Sequence, residues 1–214
     1  MMKMNMKQLA EIMNEIRSNF DGKDEAREKA IAAARRLIRI SGNAIKAIHR
    51  AEYENAEQQL FECRSIIEEI EKLLQNYRDI YYDGFVSDAL QEYAEARILL
   101  DVITKKTIPH PSTLGVDFTS YLNALGDAVG ELRRYILDLI RLDKAREGEL
   151  VLELMEDIYF ELMSFNYPEA VARGVRRKSD ATRLAVEKTR GDLTIAIRQK
   201  ALEQKIKALE ERIR

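Results

Sequence analysis

Apolar residues recur along this chain at intervals of three and four, the spacing of one face of an α-helix, and almost nowhere alternate as in a strand. The pattern reads as seven helices. The first covers residues 5–19 and ends near Phe20-Asp21-Gly22. Asp24 can cap a long second helix, residues 24–51, with Ile31, Leu37 or Ile38, and Ile45 or Ile48 on its inner face. A third, residues 53–78, carries Leu60, Ile66, Ile67, Ile70, Leu73 and Leu74. Asp83-Gly84 is a turn signal before a fourth helix at 85–106. Pro109 and Pro111 break the chain and leave a loop over 108–116. Asp117 or Thr119 caps a fifth helix at 118–143, whose core stripe is Leu122, Leu125, Val129, Leu132, Ile136 and Leu139. A sixth runs over 146–165, and Pro168 suits the first turn of a seventh that continues nearly to Arg214.

The end of that last helix has a pattern of its own. Ile195, Leu202 and Leu209 repeat every seven residues, with Ile206 and Ile213 offset by four. The stripe either packs on the protein's own core or forms a seam for a partner helix. We divide the chain accordingly into a helical domain, 1–198, and a helical extension, 199–214.

Composition sharpens this picture. With 214 residues, 46% of them hydrophobic, the chain can bury a single sizeable core. Only 9 Gly and 3 Pro leave few places where a helix must stop, so the class is all-α. A net charge of −2 lacks the overall basicity of a generic nucleic-acid binder, although local patches matter more than the sum. The lone Cys63 has no partner for an internal disulfide. The N-terminal run reads as having no secretory hydrophobic core, and no apolar run reaches the roughly 20 residues that span a bilayer. The expectation is a cytoplasmic protein with no membrane partner.

The candidate chemistry lies on two helices. Glu92 and Glu95 are three apart, and Asp127 and Glu131 four apart, so each pair shares a helix face. If the two helices pack antiparallel, four acids converge, with no lysine or arginine written between them. Such a group needs protons or a cation, and a basic residue seated among them would remove that need. Neither His49 nor His110 lies near a pair in sequence, so the donors are all oxygen and suit Mg²⁺ or Mn²⁺ better than Zn²⁺. Ordinary solvated helix faces also carry acids at this spacing. Gly126 and Gly130 flank Asp127, and two interior glycines there imply close approach by another backbone or a ligand.

Basic residues form two further stripes. Arg35, Arg36, Arg39, Lys46 and Arg50 lie on the second helix, and Arg173, Arg176, Arg177, Lys178, Arg183 and Arg190 on the last. Each either lines a nucleic-acid path or is a solvated, self-paired helix face. Tyr77, Tyr81, Tyr82 and Phe85 could stack bases, with core packing the alternative for most of them, and His49 reads as a surface or groove residue.

Three segments, in this order, resemble the translin family. Ala89-Leu90-Gln91-Glu92-Tyr93-Ala94-Glu95-Ala96 is similar to the acidic motif of the family's translin-associated factor X branch. Tyr121-Leu122-Asn123 through Asp127-Ala128-Val129-Gly130-Glu131-Leu132 is similar to the second half of that motif. Tyr167-Pro168 through Arg176-Arg177-Lys178 to Glu187-Lys188-Thr189-Arg190 resembles the family's last helix. The resemblance implies a seven-helix translin-like bundle with a long C-terminal helix. It also implies a Mg²⁺-dependent endoribonuclease that cleaves single-stranded RNA inside a hollow oligomer. Glu92, Glu95, Asp127 and Glu131 would be catalytic, the first three holding the metal. Arg35, Arg39, Lys46, Arg50, Arg176, Arg177 and Arg183 would contact RNA or single-stranded DNA. The implied assembly is a homo-octamer, or a hetero-oligomer with a translin subunit. The alternative is a non-catalytic single-stranded nucleic-acid-binding module, as in the translin branch.

Overall fold

The computed structural model describes residues 6–213. Residues 5 and 214, where the outermost helices were expected to start and stop, lie outside that span. Among the described residues there are eight α-helices: α1 Met6–His49, α2 Tyr53–Leu73, α3 Arg78–Tyr81, α4 Gly84–Lys105, α5 Pro111–Leu114, α6 Phe118–Arg141, α7 Glu149–Ser164 and α8 Val175–Ile213, with a 3₁₀ turn, Ala145–Gly148, before α7. The architecture is all-α, as expected. No helix among the described residues is long and apolar enough to cross a membrane.

α4 is the hub. It is buried nearly all round from Ala89 to Ile103, because apolar residues fill every face of this stretch instead of one stripe. α1 and α2 pack on one side of it and α6 on the other, and α6 in turn carries α7 and α8. Two of the buried charged residues inside α4, Arg97 and Asp101, compensate each other. Arg97 donates to Glu57 at 2.8 Å and to Asp101 at 2.5 Å. α6 is the second central element. Small side chains at Ala124, Gly126 and Ala128 are buried on it and let its neighbours come close. Val129, Leu132, Ile136 and Leu139 of the expected stripe are fully buried, whereas Leu122 and Leu125 are only half-buried against the core.

Several boundaries differ from the sequence reading. The break at Phe20-Asp21-Gly22 does not occur, and Asp24 caps nothing, because α1 runs unbroken through both. A glycine ends a helix when it takes a left-handed conformation, and Gly22 does not. Its missing side chain instead makes room for the Tyr77 hydroxyl, 3.2 Å from where a Cβ would stand. The third helix stops at Leu73 instead of 78, and a separate turn, α3, follows. Pro111 starts α5 inside the expected loop. Asp117, not Thr119, caps α6, accepting from the amides of Thr119 and Ser120 at 3.0 Å. Pro168 does not open the last helix. Its carbonyl accepts from Val171 at 2.8 Å in a turn, Gly174 follows at φ +78°, and α8 begins only at Val175. Tyr77, Tyr81 and Phe85 pack against the core, leaving Tyr82 exposed.

Candidate active site between α4, α6 and the start of α8

Four elements meet around the acids. α4 supplies Gln91, Glu92 and Glu95, and α6 supplies Asp127 and Glu131. The last residue of α1 supplies His49, and the first turn of α8 supplies Lys178. The two helices that carry the acids do pack together, and each carboxylate is within electrostatic reach of others. Glu95 is 8% exposed. Burial, followed by the charges of Asp127, Glu92 and Glu131, pushes its carboxyl up to about 8. Burial first and Asp127 second push Glu92 up as well. Among the described residues, neither Glu92 nor Glu95 accepts a hydrogen bond or forms a salt bridge.

The other two acids are engaged. Asp127 accepts from Gln91 Nε2 at 2.5 Å, and its second oxygen accepts from Lys178 Nζ. Glu131 meets His49 Nε2 at 2.5 Å and Arg134 at 4.0 Å. The contact to His49 holds its carboxyl below the usual carboxylate range. These contacts correct two expectations. The acids do have a lysine among them, brought by α8 from 51 residues away in sequence. It pairs directly with Asp127, acts on Glu92 and Glu95 only through the field of its charge, and leaves those two without a donor. His49 is no surface residue: its ring is 4% exposed and its Nδ1 is buried without a partner.

Glycine and asparagine set this geometry. A Cβ on Gly126 would stand 2.9 Å from the Cβ of Lys178, so α8 crosses α6 closely only because that position is bare. Asn123 donates to the carbonyl of Arg173 at 2.8 Å, and its side-chain oxygen would lie 2.9 Å from a Cβ on Gly174. That contact fixes where α8 starts and hence where Lys178 points. Gly130 has nothing within 4 Å of its absent side chain and is exposed, so the close approach expected at both glycines occurs at Gly126 only.

The donor set is chemically suited to a hard divalent cation, being all carboxylate oxygen with two members uncompensated. As placed, no group of three His, Cys, Asp or Glu side chains among the described residues stands close enough together to ligate one ion. Lys178 occupies the position of positive charge against Asp127.

Beside the acids opens a cleft of about 430 Å³, lined by Ser87, Asp88, Gln91, Arg173, Arg177 and Lys178 among others. Its wall is thus continuous with Gln91 and Lys178, the two groups that hold Asp127. Arg35, Arg39, Lys46, Arg176, Arg177 and Arg183 are exposed and form no ion pair among the described residues. Arg50 turns back to Glu52 at 2.7 Å, Arg36 to Glu69 at 2.5 Å and Arg190 to Glu156 at 2.8 Å, so parts of both basic stripes are self-paired.

Comparison with known proteins places the chain in a family. Residues 24–190 match the Translin family. An uncharacterized protein of Methanocaldococcus jannaschii is 30% identical over 201 residues, which cover 92% of this chain and 88% of the relative. Among solved structures, AfC3PO in complex with duplex RNA is 31% identical with a TM-score of 0.81, covering 88% of this chain and 98% of that one. Apo-NeC3PO, 22% identical with a TM-score of 0.78 over 86% of this chain and 96% of its own, shares the fold.

Proposed function

Since the chain belongs to the translin family, we propose that it is an RNA-binding oligomer whose four-acid site makes it a Mg²⁺-dependent endoribonuclease of the translin-associated factor X type. The observation that carries this reading is the pair Glu92 and Glu95, crowded by Asp127 and Glu131 and without a donor, with Glu95 pushed up to about 8. A protein that only binds RNA gains nothing from burying two carboxyl groups without a donor, which hold protons or cost stability as they ionise.

Glu92, Glu95 and Asp127 would hold the cation, Mg²⁺ or Mn²⁺, and Glu131 would complete the site. The ion would supply Lewis-acid stabilisation to charge building on a phosphoryl group. The chain's own groups do the rest. Burial of Glu95 keeps that part of the site poor in water, so charges there interact strongly. Gln91 orients Asp127. Lys178 balances its charge and can turn to a phosphate oxygen when a cation takes its place. His49 Nε2, paired with Glu131, is placed to take or deliver a proton. Arg173 and Arg177 in the adjoining cleft would contact the RNA backbone, joined by Arg35, Arg39, Lys46, Arg176 and Arg183. The complex of a 31% identical relative with duplex RNA supports RNA as the ligand. Preference for a single strand follows from the family resemblance. Phe61, Phe118, Leu150 and Phe160 lie exposed on the body and support its assembly into an oligomer, a homo-octamer in our reading.

The test is RNA cleavage with Mg²⁺ or Mn²⁺, on single strands and duplexes in parallel. Glu92→Gln and Asp127→Asn are expected to abolish it while far-UV circular dichroism and mass by light scattering stay unchanged. Undiminished cleavage by either variant overturns the assignment. One observation favours the second reading, a binding module without catalysis: Lys178 already neutralises Asp127. RNA retained intact with either metal present would select it.

A further inference from the structure

The last twenty residues of α8 lie beyond the part of the chain matched to the family, which ends at residue 190. One side of this segment faces its own protein: Ile197, Lys200, Ala201 and Gln204 line a pocket with Asp143–Glu147, and Lys200 pairs with Asp143 at 2.5 Å. The apolar seam points the other way. Ile195 is 66% exposed, Leu202 58%, Ile206 47%, Leu209 56% and Ile213 84%. The seam therefore does not pack on the protein's own core.

In heptad terms, Ile195, Leu202 and Leu209 are d positions, and Gln199, Ile206 and Ile213 are a positions. From Leu202 to Ile213 the seam has Ile at a and Leu at d, the combination that favours two parallel strands. The flanking charges are sorted by side. Arg198, Lys205 and Arg212 fall at g, and Glu203 and Glu210 at e. In a parallel homodimer, g of one helix faces the following e of the other, so Arg198 meets Glu203 and Lys205 meets Glu210 of the second copy. In an antiparallel pair, g faces g and e faces e, which sets basic against basic and acidic against acidic. Another exposed apolar stripe among the described residues, Leu9, Met13, Ile16 and Phe20 of α1, is flanked by Ala10, Ile12, Asn19 and Arg17, and its single charge does not answer the sorted basic and acidic sides of the α8 seam. The segment is already helical and anchored in the body through Val186, Thr189 and Leu193, so a short seam need not pay for helix nucleation.

We propose that residues 195–213 of α8 form a parallel two-stranded coiled coil with the same segment of a second copy of this chain. The seam and the charge code together select that partner and that direction.

Cysteine cross-linking of the full-length protein tests it. Cys63 is buried and does not interfere. Leu209→Cys, at a d position, is expected to give mostly covalent dimers under mild oxidation. Glu211→Cys, at the outward f position, is expected to give few. Adding Glu203→Lys and Glu210→Lys to Leu209→Cys sets like charges across the seam and lowers the dimer yield several-fold. Further addition of Arg198→Glu and Lys205→Glu swaps the code and restores it. A monomeric Leu209→Cys protein overturns the proposal, as does equal cross-linking at residues 209 and 211 or indifference to the charge changes.

Discussion

Glu95→Gln is the most informative single perturbation, because it keeps the shape of a buried side chain and removes its charge. Glu95 is 8% exposed, and its carboxyl is raised from 4.5 to about 8 by burial and by three neighbouring acids. A raised carboxylate binds its proton more tightly when folded. Its contribution to stability is therefore fully present below about pH 4.5 and is lost as pH rises toward 8. At about 1.36 kcal/mol per unit of pKa, the ceiling on that loss is roughly 5 kcal/mol, part of which the coupled acids absorb. In a chain of this size, about 1 kcal/mol moves Tm by roughly 2–4 °C. The assay is thermal unfolding in EDTA at a series of pH values from 5 to 9. Wild type is expected to lose Tm steadily across that range relative to Glu95→Gln, with the variant the more stable of the two at pH 8. Divalent metal is expected to stabilise wild type more at pH 8 than at pH 6, because cation and proton compete for the same oxygens. Parallel pH profiles for the two proteins would refute the crowding argument.

Four further perturbations have outcomes set by the geometry. Lys178→Met leaves Asp127 without its ion pair and is expected to cost about 1–3 kcal/mol in EDTA, with Mn²⁺ restoring more stability than it adds to wild type; chemical denaturation with and without Mn²⁺ reads both. Gly126→Ala puts a Cβ 2.9 Å from Lys178 Cβ and is expected to destabilise by about 1–3 kcal/mol of strain, less the helix-propensity gain. Gly130→Ala meets nothing within 4 Å and is expected to stabilise by up to about 1 kcal/mol, so thermal unfolding separates the two neighbours by the sign of the effect. Arg173→Glu with Arg177→Glu is expected to weaken RNA binding by fluorescence anisotropy and to flatten its salt dependence, while Arg36→Glu, at a self-paired arginine, does neither.

Periodicity made most of the helices legible, because Leu60 through Leu74 and Val129 through Leu139 repeat at helical spacing and do pack inward. It misplaced boundaries wherever tertiary contact outweighed a local signal. Gly22 reads as a helix end, but Tyr77 occupies the space beside it. Pro168 reads as a helix start, but Gly174, held by Asn123, decides where α8 begins. The two acid pairs could be found from spacing because each lies within a single helix. Their partners could not, since Lys178 and His49 reach them from α8 and α1 across 51 and 82 residues of sequence. A weak cue for His49 existed, as it follows the buried Ile45 by one helical turn. No such cue marks Lys178 among the many basic residues of α8. The seam of the α8 tail was legible as a pattern, whereas its exposure depended on which side of the helix meets Ala145 and its neighbours.

The proposal that these acids bind a divalent metal is tested most directly by a crystal grown with Mn²⁺ and measured for anomalous scattering. A strong peak is expected between α4 and α6, within about 2.2 Å of carboxylate oxygens from Glu92, Glu95 and Asp127, with the Lys178 ammonium swung away. A map with no peak there, and with Lys178 still seated on Asp127, would contradict it.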